Sequence, residues 1–217
     1  MRDVYHQQLD DLVDQLADMC DRVGTAVRGA TTALLTADVA GAERVVAGDR
    51  EVDDDRARIE RLAQVLLALH APVATDLRTI VTIVRSAENI ERMGDLAHHV
   101  AVAVLRRHPE PVVPDLLHAR FRQMGELAFG LAVAAGATLR AHDLVLTGGL
   151  REAETEMDDL HRSLFTIVGR PEWTFGTIPA VEAVLLSRYY ERFADHAVSV
   201  TRRAAFITGD PVEYAAR

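Results

Sequence analysis

Apolar residues recur at alternating spacings of three and four along most of this chain, the period of a helix that turns one face inwards. Ile83, Ala87, Ile90, Gly94, Ala97, Ala101 and Val104 form the clearest such stripe. Val45, Val52, Ile59 and Leu66 repeat every seven residues, and Leu62 and Leu69 join them, as in an antiparallel coiled-coil seam. Breaks are few. "HPEPVVPD" (108–115) stops one helix with three prolines and offers Asp115 as a cap for the next. "TADVA", "HAPVATD" and "GRPEWTFGTIP" mark further connections, with Thr75 or Asp76 as a cap in the second. The pattern predicts helices over about 3–36, 39–69, 76–107, 115–141, 143–168 and 179–208. The fold class is all-α.

Three helices, a proline-rich linker and three more helices point to an internal duplication, and one is present. A shift of 105 residues lays "DREVDD" (49–54) on "ETEMDD" (154–159), and Leu34, Asp38 and Val39 on Leu139, Asp143 and Leu144. A shift of 100 lays "IERMGDLA" (90–97) on "YERFADHA" (190–197). The difference of five falls between the second and third helix of each unit, where length changes are tolerated. The expectation is one domain over 1–217: repeat 1 over about 1–108, a linker over 108–115, and repeat 2 over about 115–210. Each repeat is an antiparallel three-helix bundle, and the two pack as one elongated body.

Composition narrows the partners. A net charge of -9 without a run of basic residues argues against nucleic acid or an anionic membrane surface as the main partner. Metal cations or basic protein surfaces fit better. The single cysteine, Cys20, excludes an intrachain disulfide and reads as a small apolar filler of the first helix. "MRDVYHQQLDD" lacks the apolar stretch of a signal peptide, and the longest apolar run, Leu127 to Leu139, is too short to span a bilayer. A cytoplasmic protein is expected.

Candidate chemistry lies with the acids. Eight acidic pairs stand four residues apart in this chain, so such a pair alone means little; Asp10, Asp14 and Asp18 read as a solvated face. Four pairs differ because they recur at equivalent positions of both repeats: Asp49 with Asp53, Glu91 with Asp95, Glu154 with Asp158, and Glu191 with Asp195. On the third helix Glu88, Glu91, Asp95 and His98 form a stripe between the core and a basic edge of Arg78, Arg85, Arg92, His99 and Arg106. Two adjacent antiparallel helices carrying such pairs on facing flanks surround one point with carboxylates, the all-oxygen environment that Mg²⁺ or Mn²⁺ prefers. Without a cation those carboxylates repel and raise one another's pKa. His98 and His161, each three residues after an Asp of a pair, would add a nitrogen ligand and favour iron, manganese or zinc. His196 points about 100° away round its helix. Trp173 and Phe175 lie in the longest connection, as a partner contact or as a cover for the bundle end. There is no Gly-rich phosphate loop, nucleophile elbow or Ser/His/Asp arrangement.

"GDREVDD", "LLALHAPVATDLR", "ENIERMGDLA" and "YYERFADHA", in that order in a duplicated three-helix unit, resemble the PhoU family of bacterial phosphate-uptake regulators. The resemblance spans nearly the whole chain. It implies a six-helix fold of two three-helix bundles and multinuclear metal clusters held by E/D-x-x-x-D motifs. Those motifs fall here on Asp49 and Asp53, Glu91 and Asp95, Glu154 and Asp158, and Glu191 and Asp195. It also implies a cytoplasmic, usually dimeric accessory of the phosphate ABC transporter that keeps the phosphate-starvation regulon off when phosphate is plentiful. Its implied partners are the transporter's ATPase subunit and a sensor histidine kinase. The second repeat departs from the pattern, with no "DLR" counterpart and Ala194 where glycine is usual. From another class, a ferritin-like di-metal enzyme would need Glu-x-x-His motifs, whereas only Asp-x-x-His occurs, at 95–98 and 158–161. A helical dimer with solvated acids and no metal is the third reading.

Overall fold

The structure, a computed structural model, describes residues 2–141 and 149–207. Six helices carry the fold: α1 (Arg2–Thr36), α2 (Val39–His70), α3 (Ala74–Arg107), α4 (His118–Ala141), α5 (Leu150–Val168) and α6 (Thr177–Ile207). Among the described residues there is no strand, and no helix is long and apolar enough to cross a membrane.

The helix ends differ from expectation where capping was invoked. Asp115 opens a short 3-10 turn, Asp115–Leu117, behind Pro114, and α4 begins only at His118. No side-chain cap forms there. Thr75 and Asp76 are not caps either: α3 starts at Ala74 after an extended Val73, and Asp76 lies 3.6 Å from His6 on α1. The start expected for the fifth helix, with Asp143 and Leu144 of the repeat alignment, lies outside the described residues, as does residue 208 at the end of the sixth.

Helix α1 packs against α4, α3 and α2, while α6 packs against α3, α4 and α5. Both central pairings are antiparallel. Arg140 near the end of α4 reaches Asp18 and Asp21 on α1 at 2.8 and 2.6 Å, while Gly125 near its start faces Thr31. Between α3 and α6, His196 meets Asn89 at 2.9 Å and Arg106 donates to both carboxylate oxygens of Glu182. The repeats are thus joined first helix to first helix and third to third. Gly125 makes the first junction close: a Cβ there would lie 2.5 Å from Thr31 Oγ1. Gly24 and Gly136 likewise admit Ala132 and Cys20.

The core stripe of α3 is fully buried, and burial extends to Thr79, Thr82, Ser86, Met93, Leu96, Val100 and Ala103. α3 is covered on three sides, by α1, α2 and α6, so a single stripe of expected core positions understates what it buries. On α2, Val52, Ile59 and Leu66 are buried, but Leu62 and Leu69 are 42% and 72% exposed and do not join the seam. α2 packs only against α1 and α3, which leaves its outer flank open. Cys20 is fully buried, and that burial pushes its thiol pKa far up.

Candidate metal centres

Each of the four acidic pairs lies along one helix, and the neighbouring helix of the same repeat brings a second pair to face it. In the first repeat α2 supplies Asp49 and Asp53, and α3 supplies Glu91 and Asp95. Asp49 feels the charge of Asp95 across the helix pair, and Glu91 that of Asp53. In the second, α5 supplies Glu154 and Asp158 against Glu191 and Asp195 of α6; Asp195 feels both α5 acids, and Glu191 feels Asp158. Gly94 assists the first approach. A Cβ there would meet Val52 at 3.2 Å and Asp49 Oδ1 at 3.4 Å. Ala194 fills the equivalent place in the second repeat and is buried.

Arginines, rather than a shared point, hold four of these eight carboxylates. Arg92 lies 2.7 Å from Asp95 Oδ2 and 3.4 Å from Glu91 Oε2. Arg188 bonds Glu191 Oε1, and Arg202 donates to Glu154 Oε2 at 2.9 Å. In this arrangement no three His, Cys, Asp or Glu side chains of the described residues stand close enough to share one ion. Two atoms nevertheless lack what they need. Glu91 Oε2 and Glu191 Oε2, at equivalent positions, are both buried and have no hydrogen-bond partner among the described residues. An acceptor left so costs about 1–3 kcal/mol, more when charged. Only 13% and 12% of these side chains is exposed, so bulk water does not relieve them. A hard cation would. The donor sets fit one, with carboxylate oxygens throughout.

Burial raises the pKa of Asp49, Glu91, Glu191 and Asp195, and neighbouring carboxylates add to the rise: Asp95 and Asp53 act on both Asp49 and Glu91, Asp195 and Asp158 act on Glu191, and Asp158 and Glu154 act on Asp195. Such groups take up protons more readily folded than unfolded, so they lower stability as the pH rises through their raised values and stop doing so on acidification. Chelator-treated Glu91→Gln is therefore expected to melt above the chelator-treated parent at pH 7, the gap narrowing as the pH falls towards the ordinary carboxylate range. A gap that widens on acidification would contradict this.

The histidines divide. His98 Nδ1 lies 2.8 Å from Asp49 Oδ2, within ion-pair distance but off hydrogen-bond alignment, and so borders the first cluster. His161 turns to Ser187 Oγ at 2.7 Å. Its pKa is lowered by burial and then by Arg188. His196 points into the α3/α6 junction, away from the acids of its own repeat. Asp10, Asp14 and Asp18 are exposed as expected, Asp18 being tied to Arg140. Trp173 packs against the core and donates to Gly176 O at 2.8 Å, while Phe175, edge-on to it, is 48% exposed. The arginine partners were not anticipated. Arg92-x-x-Asp95 and Arg188-x-x-Glu191 were visible as i, i+3 pairs, but nothing local announces Arg202 beside Glu154.

A family model described as the PhoU domain matches residues 16–104. The "Phosphate-specific transport system accessory protein PhoU homolog 2" of Mycobacterium tuberculosis is 46% identical over 206 residues, 95% of this chain and 97% of that protein. The chain belongs to the PhoU family. Its homolog 1 from Mycobacterium leprae is 44% identical over 95% of this chain and 93% of its own length. The PhoU fold extends to more distant members. The crystal structures of the phosphate transport system regulatory protein PhoU from Streptococcus pneumoniae and of PhoU from Pseudomonas aeruginosa each superpose with a TM-score of 0.81 at 23% identity. They cover 94% of this chain and 96% and 98% of their own.

Proposed function

We propose that this protein is a non-enzymatic accessory of phosphate uptake, an adaptor between the ATPase subunit of a phosphate ABC transporter and a sensor histidine kinase. In this reading it acts in the cytoplasm as a homodimer and represses the phosphate-starvation regulon when phosphate is plentiful. The observation that carries the reading is the 46% identity, over nearly the full length of both chains, to a relative named as an accessory of phosphate-specific transport. Asp49, Asp53, Glu91 and Asp95 would hold one metal centre, and Glu154, Asp158, Glu191 and Asp195 the other. The ions would be Mg, Mn, Fe or Zn, and they would supply charge neutralisation and a clamp between paired helices. The two buried glutamate oxygens that receive no hydrogen bond support that part. Pull-down of the parent protein with a phosphate-transporter ATPase subunit and with a sensor kinase should recover both. Alanine at Glu91 and Asp95 should weaken at least one contact, and failure of the parent to bind either would overturn the adaptor reading.

A further inference from the structure

The two acidic clusters are not equivalent, and we infer that the first-repeat cluster binds a divalent cation at least about tenfold more tightly than the second, with residues 88 and 188 setting the difference. This rests on the metal reading above. The shift of 100 residues superimposes Glu91 on Glu191, Arg92 on Arg192 and Asp95 on Asp195, and in the same frame Glu88 on Arg188. Burial over 81–94 matches that over 181–194 position for position, so residues 88 and 188 occupy the same exposed place, nearly one turn before the buried glutamate. One is an anion and the other a cation.

Arg188 uses that place to bond Glu191, and its charge also acts on Asp195. Arg202 closes the other flank through Glu154, and its counterpart in the first repeat is Val102. Glu191 and Glu154 in the second cluster are thus held by two separate arginines, and a third, Arg192, acts on Asp195. In the first cluster a single arginine, Arg92, is paired with both Glu91 and Asp95. Arg56 acts on Glu91 but is hydrogen-bonded to Glu60, and the remaining neighbour of the site acids, His98 beside Asp49, is an imidazole rather than a guanidinium. The four site carboxylates of the first cluster therefore meet Arg92, with Arg56 acting on Glu91, whereas the four of the second meet three arginines. A cation entering the second site must break two arginine pairs and remain beside guanidiniums. In the first it displaces Arg92 alone, and the exposed position one turn before Glu91 carries an anion where the second repeat carries a cation.

The test is Mn²⁺ binding to the full chain, followed by calorimetry and by electron paramagnetic resonance of free Mn²⁺. Two classes of site are expected, the tight one lost in Asp95→Asn and the weak one in Asp195→Asn. Glu88→Arg should weaken the tight class roughly tenfold, and Arg188→Glu should bring the weak class up to match it. Glu88→Gln and Arg188→Gln should move each class the same way by less, which keeps the result readable if a charge reversal disturbs folding. Equal classes in the parent, or classes indifferent to residues 88 and 188, would overturn the inference while leaving the metal reading intact. No Mn²⁺ binding by the parent would overturn both.

Discussion

Tyr190→Ala is expected to lower stability by about 3–5 kcal/mol, measured as a fall in urea midpoint at unchanged slope. Tyr190 is 1% exposed on α6, where its ring lies 6.0 Å from that of Phe121 on α4 and its hydroxyl 2.8 Å from Thr31 Oγ1 on α1. It therefore ties both central helices of the junction to the third helix of the second repeat. Thr31 cannot move to fill a cavity there, because it is β-branched, already donates to Val27 O at 2.7 Å, and is pressed by Gly125. Tyr190→Phe removes only the hydroxyl and should cost about 1 kcal/mol, since Thr31 keeps its other partner. A loss below about 1 kcal/mol for the alanine variant would mean that Tyr190 does not tie α1, α4 and α6 together.

The second large effect concerns metal. Saturating Mn²⁺, at about one hundred times its dissociation constant, should stabilise the parent by about 2.7 kcal/mol per site. In a chain of this length that raises the melting temperature by roughly 5–10 °C. Glu91→Gln combined with Asp95→Asn should abolish the first cluster's share of the rise and leave the second cluster's. The same variant without metal should melt no lower than the parent, because amides in place of crowded, half-buried carboxylates remove the repulsion and burial cost that raise the pKa of Glu91. Loss of stability in the metal-free variant would instead assign these residues a role in arginine pairing. A full rise in the variant would remove the first cluster from the metal account.

Much of this was legible in the chain, and the exceptions share physical causes. Helical periodicity located all six helices because long uninterrupted apolar stripes leave little freedom of assignment. Each repeat's acids were legible as facing pairs because i and i+4 share a helix face and the second and third helices of each unit had to be neighbours. Caps were not: Thr75, Asp76 and Asp115 are residue types that cap helices, yet chain entry through the prolines and Val73 shifted each start by two or three residues. Leu62 and Leu69 fitted the heptad seam, but whether a seam position is covered depends on how many helices surround it, and α2 is flanked on two sides only. The arginines beside Glu154 and Glu191 show the same limit. Arg188 shares its helix with its partner, whereas Arg202 reaches another helix, and no spacing rule encodes that.

The central claim is that both repeats use the same four-carboxylate arrangement to hold hard cations. Anomalous-scattering density from a crystal of the Mn²⁺-loaded protein tests it most directly. The expected result is peaks between α2 and α3 at Asp49, Asp53, Glu91 and Asp95, and weaker peaks between α5 and α6 at Glu154, Asp158, Glu191 and Asp195. Arg92 and Arg188 should then be swung away from their carboxylates. Both clusters without density at millimolar Mn²⁺, with the arginine pairs intact, would contradict it.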